Sequence, residues 1–290
     1  MWLNHENQKG KMKEFFTGTD RMTRAHEVDA MISANALIRL VDGRIHYRKD
    51  PILADRWMLD SGAFSQINKW GDFIMSPEEY VRLACHFQWC GKLACIVTQD
   101  YMCEPDVISG LKDRGIRASV RIHQRKTVER YIEILELADK YKLRVPVMPV
   151  LQGWEVEDYK QHLEMYNAAL LKRFETKHEM KFGSLVREGD VWIGIGSTCK
   201  RNKNPDIVAE ILDTLEWDFR ANRPKIHLFG FKQTGLKNSR IKDRIYSADS
   251  FAYDFHDKMT GQVRTSDARM ESAKKFAHRV KHNHVQLQLV

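Results

Sequence analysis

The sequence predicts a single α/β domain built as a (β/α)8 TIM barrel, and three observations carry that expectation. Short apolar, β-branched runs recur along the chain, amphipathic segments with helix-start signals lie between them, and the 290 residues fit one barrel of about 250 residues. Strands alternating with helices at this spacing predict a parallel sheet. Eight such units favour a closed barrel, with an open doubly wound sheet as the alternative.

The runs, in order, are 34–40 (ANALIRL), 57–59 (WML), 94–98 (ACIVT), 116–121 (IRASVR), 145–151 (VPVMPVL), 191–196 (VWIGIG), 225–230 (KIHLFG) and 245–248 (IYSA). Ser76-Pro77-Glu78-Glu79 has a cap, a proline at the first helical position and a glutamate three residues on, a capping box that opens a helix to about residue 90. Further helices are expected near 105–113, 124–141, 155–175, 204–216, 233–241 and 266–283. Residues 1–27 are polar and basic and are expected as a short N-terminal extension to a barrel spanning 28–290. The longest expected insertion is 176–190 (TKHEMKFGSLVREGD).

With 43% hydrophobic residues, 10% aromatics and seven prolines, the chain has ample material for a core and little for disorder. No run is long and apolar enough for a membrane span, and the start lacks the apolar stretch of a secretion signal, so a cytoplasmic protein is expected. The five cysteines (Cys85, Cys90, Cys95, Cys103, Cys199) are an odd number with no CxxC pair. That fits reduced thiols and excludes the paired-ligand spacing of a structural zinc site. No metal or cofactor is expected. The net charge of +8 and pI near 9.1 attract polyanions.

Barrel enzymes carry their reactive groups at the C-terminal ends of strands. Here those ends deliver Asp60-Ser61-Gly62-Ala63-Phe64, Gln99-Asp100, Gln152-Gly153-Trp154, Gly194-Ile195-Gly196-Ser197 and Asp249-Ser250. Three carboxylates on one rim suit attack at an anomeric carbon: one as nucleophile, one to move the proton, one to hold the base. Amide and backbone groups of Gln152 and the Gly194–Gly196 segment suit the edge of a flat heterocycle. Each aspartate taken singly also fits a helix cap or turn.

The order DSGAF, strand-end Asp, VLQG, GIG and a late strand-end Asp resembles the tRNA-guanine transglycosylase superfamily across residues 57–255. The resemblance implies Asp249 as the nucleophile at C1′ and Asp60 as the acid/base partner. It also implies Asp100, Gln152, Gly153, Gly196 and Ser61 around the purine edge, with Phe64 against its face. Asp254 is a rival nucleophile. The sequence departs from members acting on tRNA in lacking a CxCxxC-plus-His zinc cluster. In place of the acidic residue that reads an aminomethyl group it has Ser197, which is compatible with a neutral group such as the nitrile of 7-cyano-7-deazaguanine (preQ0).

No appended RNA-binding domain is expected, and the chain looks most like the DpdA-like 7-deazaguanine DNA transglycosylases of phages and bacteria. The resemblance therefore implies a pentosyltransferase acting on DNA, with a 7-deazaguanine base as co-substrate and a possible accessory protein. The alternatives are a tRNA-guanine transglycosylase, a hydrolytic N-glycosidase and, from another class, an inactive barrel serving as a nucleic-acid-binding subunit. Lys200, Arg201 and Lys203 after the sixth run, and Lys232, Lys237 and Arg240 after the seventh, place positive charge on the same rim for phosphate contacts. Solvated helix surface is the other explanation for them. Trp70 and Trp154 are candidates for stacking on an extruded base.

Overall fold

The computed structural model describes residues 12, 14–19, 28–49, 52–176, 191–219, 224–232, 234–250 and 265–286. The chain runs through β1 (Glu14–Thr19), β2 (Ala30–Ser33), a single helical turn α1 (Ala34–Leu37), and the hairpin strands β3 (Ile38–Val41) and β4 (Arg44–Tyr47). It continues with β5 (Trp57–Asp60), α2 (Ala63–Trp70), α3 (Pro77–Phe87), β6 (Leu93–Val97), α4 (Pro105–Asp113) and α5 (Val120–Tyr141). Then follow β7 (Val147–Met148), β8 (Val150–Leu151), α6 (Val156–Thr176), β9 (Trp192–Ile195), α7 (Pro205–Phe219), β10 (Lys225–Leu228), α8 (Ser239–Lys242), β11 (Ser247–Ser250) and α9 (Ser266–Gln286).

The main sheet has the order β7-β6-β5-β2-β1-β11-β10-β9-β8, and every pairing in it is parallel. Its two end strands are the halves of one extended segment, 147–151, interrupted at Pro149, which has no N–H to give to a ladder. The sheet therefore comes round on itself as an eight-stave parallel barrel whose staves follow one another in chain order. Between staves the helices form where the local chemistry starts them. Ser76 and Glu79 make the reciprocal capping box of α3, and Ser119 accepts from the Ile122 N–H at the start of α5.

Alternation along each strand decides which residues reach the functional end. Phe16, Met31, Met58, Cys95, Val97, Met148, Val150 and Trp192 fill the barrel interior. Their neighbours Phe15, Ile32, Trp57, Leu59, Ile96, Ile193, Leu228 and Ala248 pack outward against the helices. Each such buried apolar side chain stabilises the fold by about 1.5–3 kcal/mol. Two residues beyond the inward ones, in the same phase, stand Gly18, Ser33, Asp60 and, after Gly194, Gly196. His227 and Asp249 share this phase on β10 and β11, since the outward positions there are Leu228 and Ala248. The phase that buries the core thus aims these groups into the mouth.

The closed parallel barrel agrees with the expectation, but two of its staves lie elsewhere. Residues 14–19, expected within an N-terminal extension, form a full stave between β2 and β11, with Phe15 packed edge-on to Phe276 of α9. Residues 34–40, expected as the first strand, begin as a helical turn capped by Ser33 and pass into the small hairpin. Residues 116–121 are not a strand: Ile116, Ala118 and Val120 are apolar because they pack on Ala63, Ile67 and Leu111 beneath α2 and α4. The helix expected at 233–241 divides into a 3₁₀ turn at Gly235–Lys237 and α8. Residues 177–190 of the expected insertion lie outside the described residues.

Candidate active site

A cavity of about 320 Å³ occupies the C-terminal mouth of the barrel. Its lining includes Gly18, Ser33, Asp60, Phe64, Asp100, Glu104, Gln152, Gly196, Ser197 and Asp249. Gly18 and Asp249, at opposite ends of the chain, are thus brought to one cavity by the topology.

Asp60 ends β5 and is followed by a left-handed Gly62 (φ 79°) that starts α2, whose N–H donates to Asp60 Oδ2 at 3.0 Å. Burial pushes the carboxyl up to about 7, Asp100 and Asp249 add to the rise by repulsion, and the Gly62 N–H and the Ser33 hydroxyl oppose it. Asp100 accepts from Ser61 Oγ at 3.2 Å and from Gln152 Nε2 at 2.5 Å. Burial raises it to about 6 against those two donors. A carboxyl with a pKa near neutrality can both give and take a proton at working pH.

Gln152 is fixed from every side. Its Oε1 accepts from Ser197 Oγ at 2.9 Å, and its carbonyl accepts from Gln124 Nε2 at 2.8 Å. Its N–H donates to His162 Nδ1 at 2.8 Å, while His162 Nε2 meets the Gln124 carbonyl at 3.1 Å. Burial lowers the pKa of His162 to about 3, so the ring is neutral and holds its proton on Nε2. Gly196 is required here because a Cβ would lie 2.2–2.5 Å from the Gln152 amide atoms.

Asp249 ends β11. Its Oδ1 accepts from the Gly230 N–H at 2.8 Å and meets His227 Nε2 at 3.3 Å. His227 is fully buried and its Nδ1 lies 2.8 Å from Ser247 Oγ, which holds the ring against the carboxylate. Both contacts fall on Oδ1, leaving Oδ2 for the cavity. Gly230 has φ 62°, and a Cβ there would stand 2.7 Å from the Cys199 Cβ. A side chain at that position would disturb the N–H that steadies Asp249.

The predicted residues divide accordingly. Asp60, Asp100, Gln152, Gly196, Phe64 and Asp249 line the cavity together, with Phe64 59% exposed at its mouth. Ser61 and Gly153 do not line it. Ser61 is buried behind Asp100 and acts by holding that carboxylate. Gly153 is a packing position, where a Cβ would meet Asp158 and Tyr159 at 2.6–3.1 Å, and its carbonyl accepts from Tyr159 OH. Asp254 lies outside the described residues.

The basic set also divides. Arg201 is buried; its guanidinium lies over the Trp154 ring at 4.4 Å and donates to the Trp154 carbonyl. That pair anchors a loop, which also takes one face of Trp154 out of play for stacking. Lys200 is paired with Asp106 at 3.0 Å and Arg240 with Asp213 at 2.5 Å, both at the surface. Lys203 and Lys237 are exposed and Lys232 is half-buried. Trp70 is 44% exposed with Lys69 over its ring.

Sequence reasoning missed Glu104, Ser33, Gly18, His227 and Gly230. His227 and Ser33 were visible only as polar residues in an inward phase. Glu104 precedes Pro105 and reads as a helix cap. Among the described residues, no group of three or more His, Cys, Asp or Glu side chains is placed to hold a metal ion, and no helix is long and apolar enough to cross a membrane.

Comparison with curated proteins finds no match to this chain. The family model described as DpdA, DeoxyPurine in DNA protein A, matches residues 12–287, and the chain belongs to that DNA-modifying transglycosylase family.

Proposed function

We propose that this protein exchanges guanine in DNA for a 7-deazaguanine, such as 7-cyano-7-deazaguanine, through a covalent bond between Asp249 and the deoxyribose. The observation that carries the reading is the pairing of two differently prepared carboxyls across one cavity: Asp249 with one oxygen tied down and the other open, and Asp60 raised to about 7.

In this mechanism Asp249 Oδ2 attacks C1′ as the C1′–N9 bond breaks, and guanine departs with the bonding electrons and takes a proton from Asp60. The incoming base then returns the proton from its N9 to Asp60 and attacks C1′, and the Asp249 carboxylate leaves. Asp100 accepts the N1–H and 2-amino donors of either base. Gln152, already committed to Asp100 and Ser197, acts by orienting Asp100 and shaping the purine edge, and Phe64 offers an apolar face at the mouth. The target nucleotide must leave its stack to reach this depth. Lys203, Lys237 and Lys232 lie after the sixth and seventh staves, where phosphates of the flanking strand would pass.

The test is exchange of isotopically labelled guanine into duplex DNA, single-stranded DNA and tRNA, together with a denaturing gel for the enzyme–nucleic acid adduct. Wild type is expected to exchange into DNA and to show a retarded band. Asp249→Asn is expected to lose both, and Asp60→Asn to lose about 10²–10⁴-fold in rate while still forming some adduct. Incorporation into tRNA alone would overturn the choice of polymer. An adduct that survives Asp249→Asn would overturn the choice of nucleophile.

A further inference from the structure

Glu104 is a carboxyl of the cavity to which neither the exchange chemistry nor the fold gives a task. It stands at the N-cap position of α4, just ahead of Pro105, yet its side chain takes no hydrogen bond from the first turn of that helix. Instead it is 2% exposed and lines the cavity. Its Oε1 meets Cys199 Sγ at 3.9 Å, and its Oε2 has no hydrogen-bond partner. A buried carboxyl oxygen without a donor destabilises a fold, and such a cost persists where a ligand completes the site. Among the described residues, no lysine, arginine or histidine lines the cavity to neutralise it.

The barrel order shows which side of the cavity Glu104 occupies. Asp249 ends the eighth stave, and Asp100 and Gln152 follow the fourth and fifth. A flat base reaching from Asp249 to the Asp100–Gln152 pair therefore lies across the mouth. Its two long edges face Asp60, at the end of the third stave, and Ser197 with Cys199, after the sixth. Glu104 follows the fourth stave but reaches to this second side, where it touches Cys199 and interacts with the Ser197 hydroxyl. In a 7-deazaguanine held by its N1 and 2-amino donors at Asp100, with N9 toward Asp249, the 7-substituent projects from one of those long edges.

We propose that Glu104 is a specificity residue that hydrogen-bonds the 7-substituent of the incoming base through its carboxyl group. Ser197, which stands where an acidic residue would read an aminomethyl group, thus has a carboxyl beside it, contributed by a different loop. The proposal rests on the base-exchange reading and deepens it. Burial, the largest influence on Glu104, moves its pKa upward, and the same group presents an acceptor when ionised and a donor when protonated.

The test is calorimetric binding of three free bases to the intact protein: guanine, 7-cyano-7-deazaguanine and 7-aminomethyl-7-deazaguanine. Glu104→Met keeps the volume and removes the hydrogen bond; Glu104→Ala is the second variant should the first fail to fold. The variant is expected to weaken at least one of the two substituted bases about tenfold or more, leaving guanine within about twofold. A loss confined to the aminomethyl base marks an ionised Glu104, and one confined to the nitrile marks a protonated Glu104 donating to it. Because Oε2 lacks a partner, the melting temperature of Glu104→Met is expected to equal or exceed that of wild type. Equal weakening of all three bases, or of none, overturns the proposal while leaving base exchange standing. A wild type that binds none of the three takes base exchange down with it.

Discussion

Asp60 gives the most direct thermodynamic test of the site, because its perturbation affects stability as well as catalysis. The unfolded chain titrates this carboxyl at its ordinary 3.8, while burial and the repulsion of Asp100 and Asp249 carry the folded value to about 7. The folded state therefore binds this proton more tightly than the unfolded state. Below about pH 4 the group is neutral in both states and costs nothing. As pH rises from 4 toward 7 the unfolded state releases its proton first, so wild type loses stability across that window and the loss levels off above it. Moving a carboxyl from 3.8 to about 7 corresponds to about 4 kcal/mol once the group is ionised. Asp60→Asn removes the titration and keeps the shape. Urea denaturation of both proteins at pH 4.5, 6 and 8 should show the variant gaining relative to wild type by about 2–4 kcal/mol between the lowest and highest pH. Asp100→Asn should reduce that pH dependence, because it removes one of the repelling charges. A stability difference that is flat with pH, or an Asp60→Asn protein less stable than wild type at pH 8, would refute the argument that this carboxyl is held in an adverse environment for its chemistry.

Three other outcomes follow from the geometry. Gly196→Ala places a methyl where the Gln152 amide now sits, so Gln152 and with it Asp100 must move. Affinity for guanine is expected to fall about tenfold or more with little change in circular dichroism, and unchanged affinity would show that Gln152 does not position the base edge. His162 is neutral because burial lowers its pKa to about 3; it contributes stability above about pH 6.5 that is lost as pH falls toward 3. In His162→Gln that acid-side loss is expected to shrink, as read by denaturation midpoints between pH 4 and 7. Lys203→Ala combined with Lys237→Ala should weaken DNA binding and lower the slope of log affinity against log salt by about 1–2, leaving free-base binding unchanged. A slope equal to wild type would remove both lysines from the phosphate contacts.

The sequence made the reactive end of the barrel legible because strand phase and motif coincide there. Asp60 follows Met58 by two residues and Asp249 follows Ser247 by two, so inward phase alone aims them at the mouth. It was less informative where tertiary partners decide. EFFTGT at 14–19 carries Gly18 and two threonines beside a polar N-terminus, and only its pairing with β2 and β11 makes it a strand. The apolar residues of 116–121 were real signals of burial but not of a strand, since they serve the small core under α2 and α4. In Lys200-Arg201-Asn202-Lys203 the four residues look alike as a solvated run. Trp154, distant in sequence, is what withdraws Arg201 from solvent. Glu104 was hidden for the opposite reason: a local explanation, the helix cap, was available, and the fold does not use it.

The net charge of +8 and the acidic cavity complement one another. In the proposed mechanism a phosphate backbone drawn to lysines on the outer face meets increasing repulsion toward Asp60, Asp100, Glu104 and Asp249, so the strand is held at the rim while the neutral base is the part of the nucleotide admitted. Guanine carries its hydrogen-bond donors on the N1 and 2-amino edge, and the cavity answers with carboxylates. In that mechanism adenine would bring no N1–H to Asp100. Burial is the main cause of the rise of Asp60 to about 7, and Asp100, which adds to it by repulsion, is in the proposed mechanism also the group that selects a donor-rich purine. Asp100→Asn should therefore change the proton affinity of Asp60 and base choice together, in contrast to a cavity where catalysis and recognition are carried by separate groups.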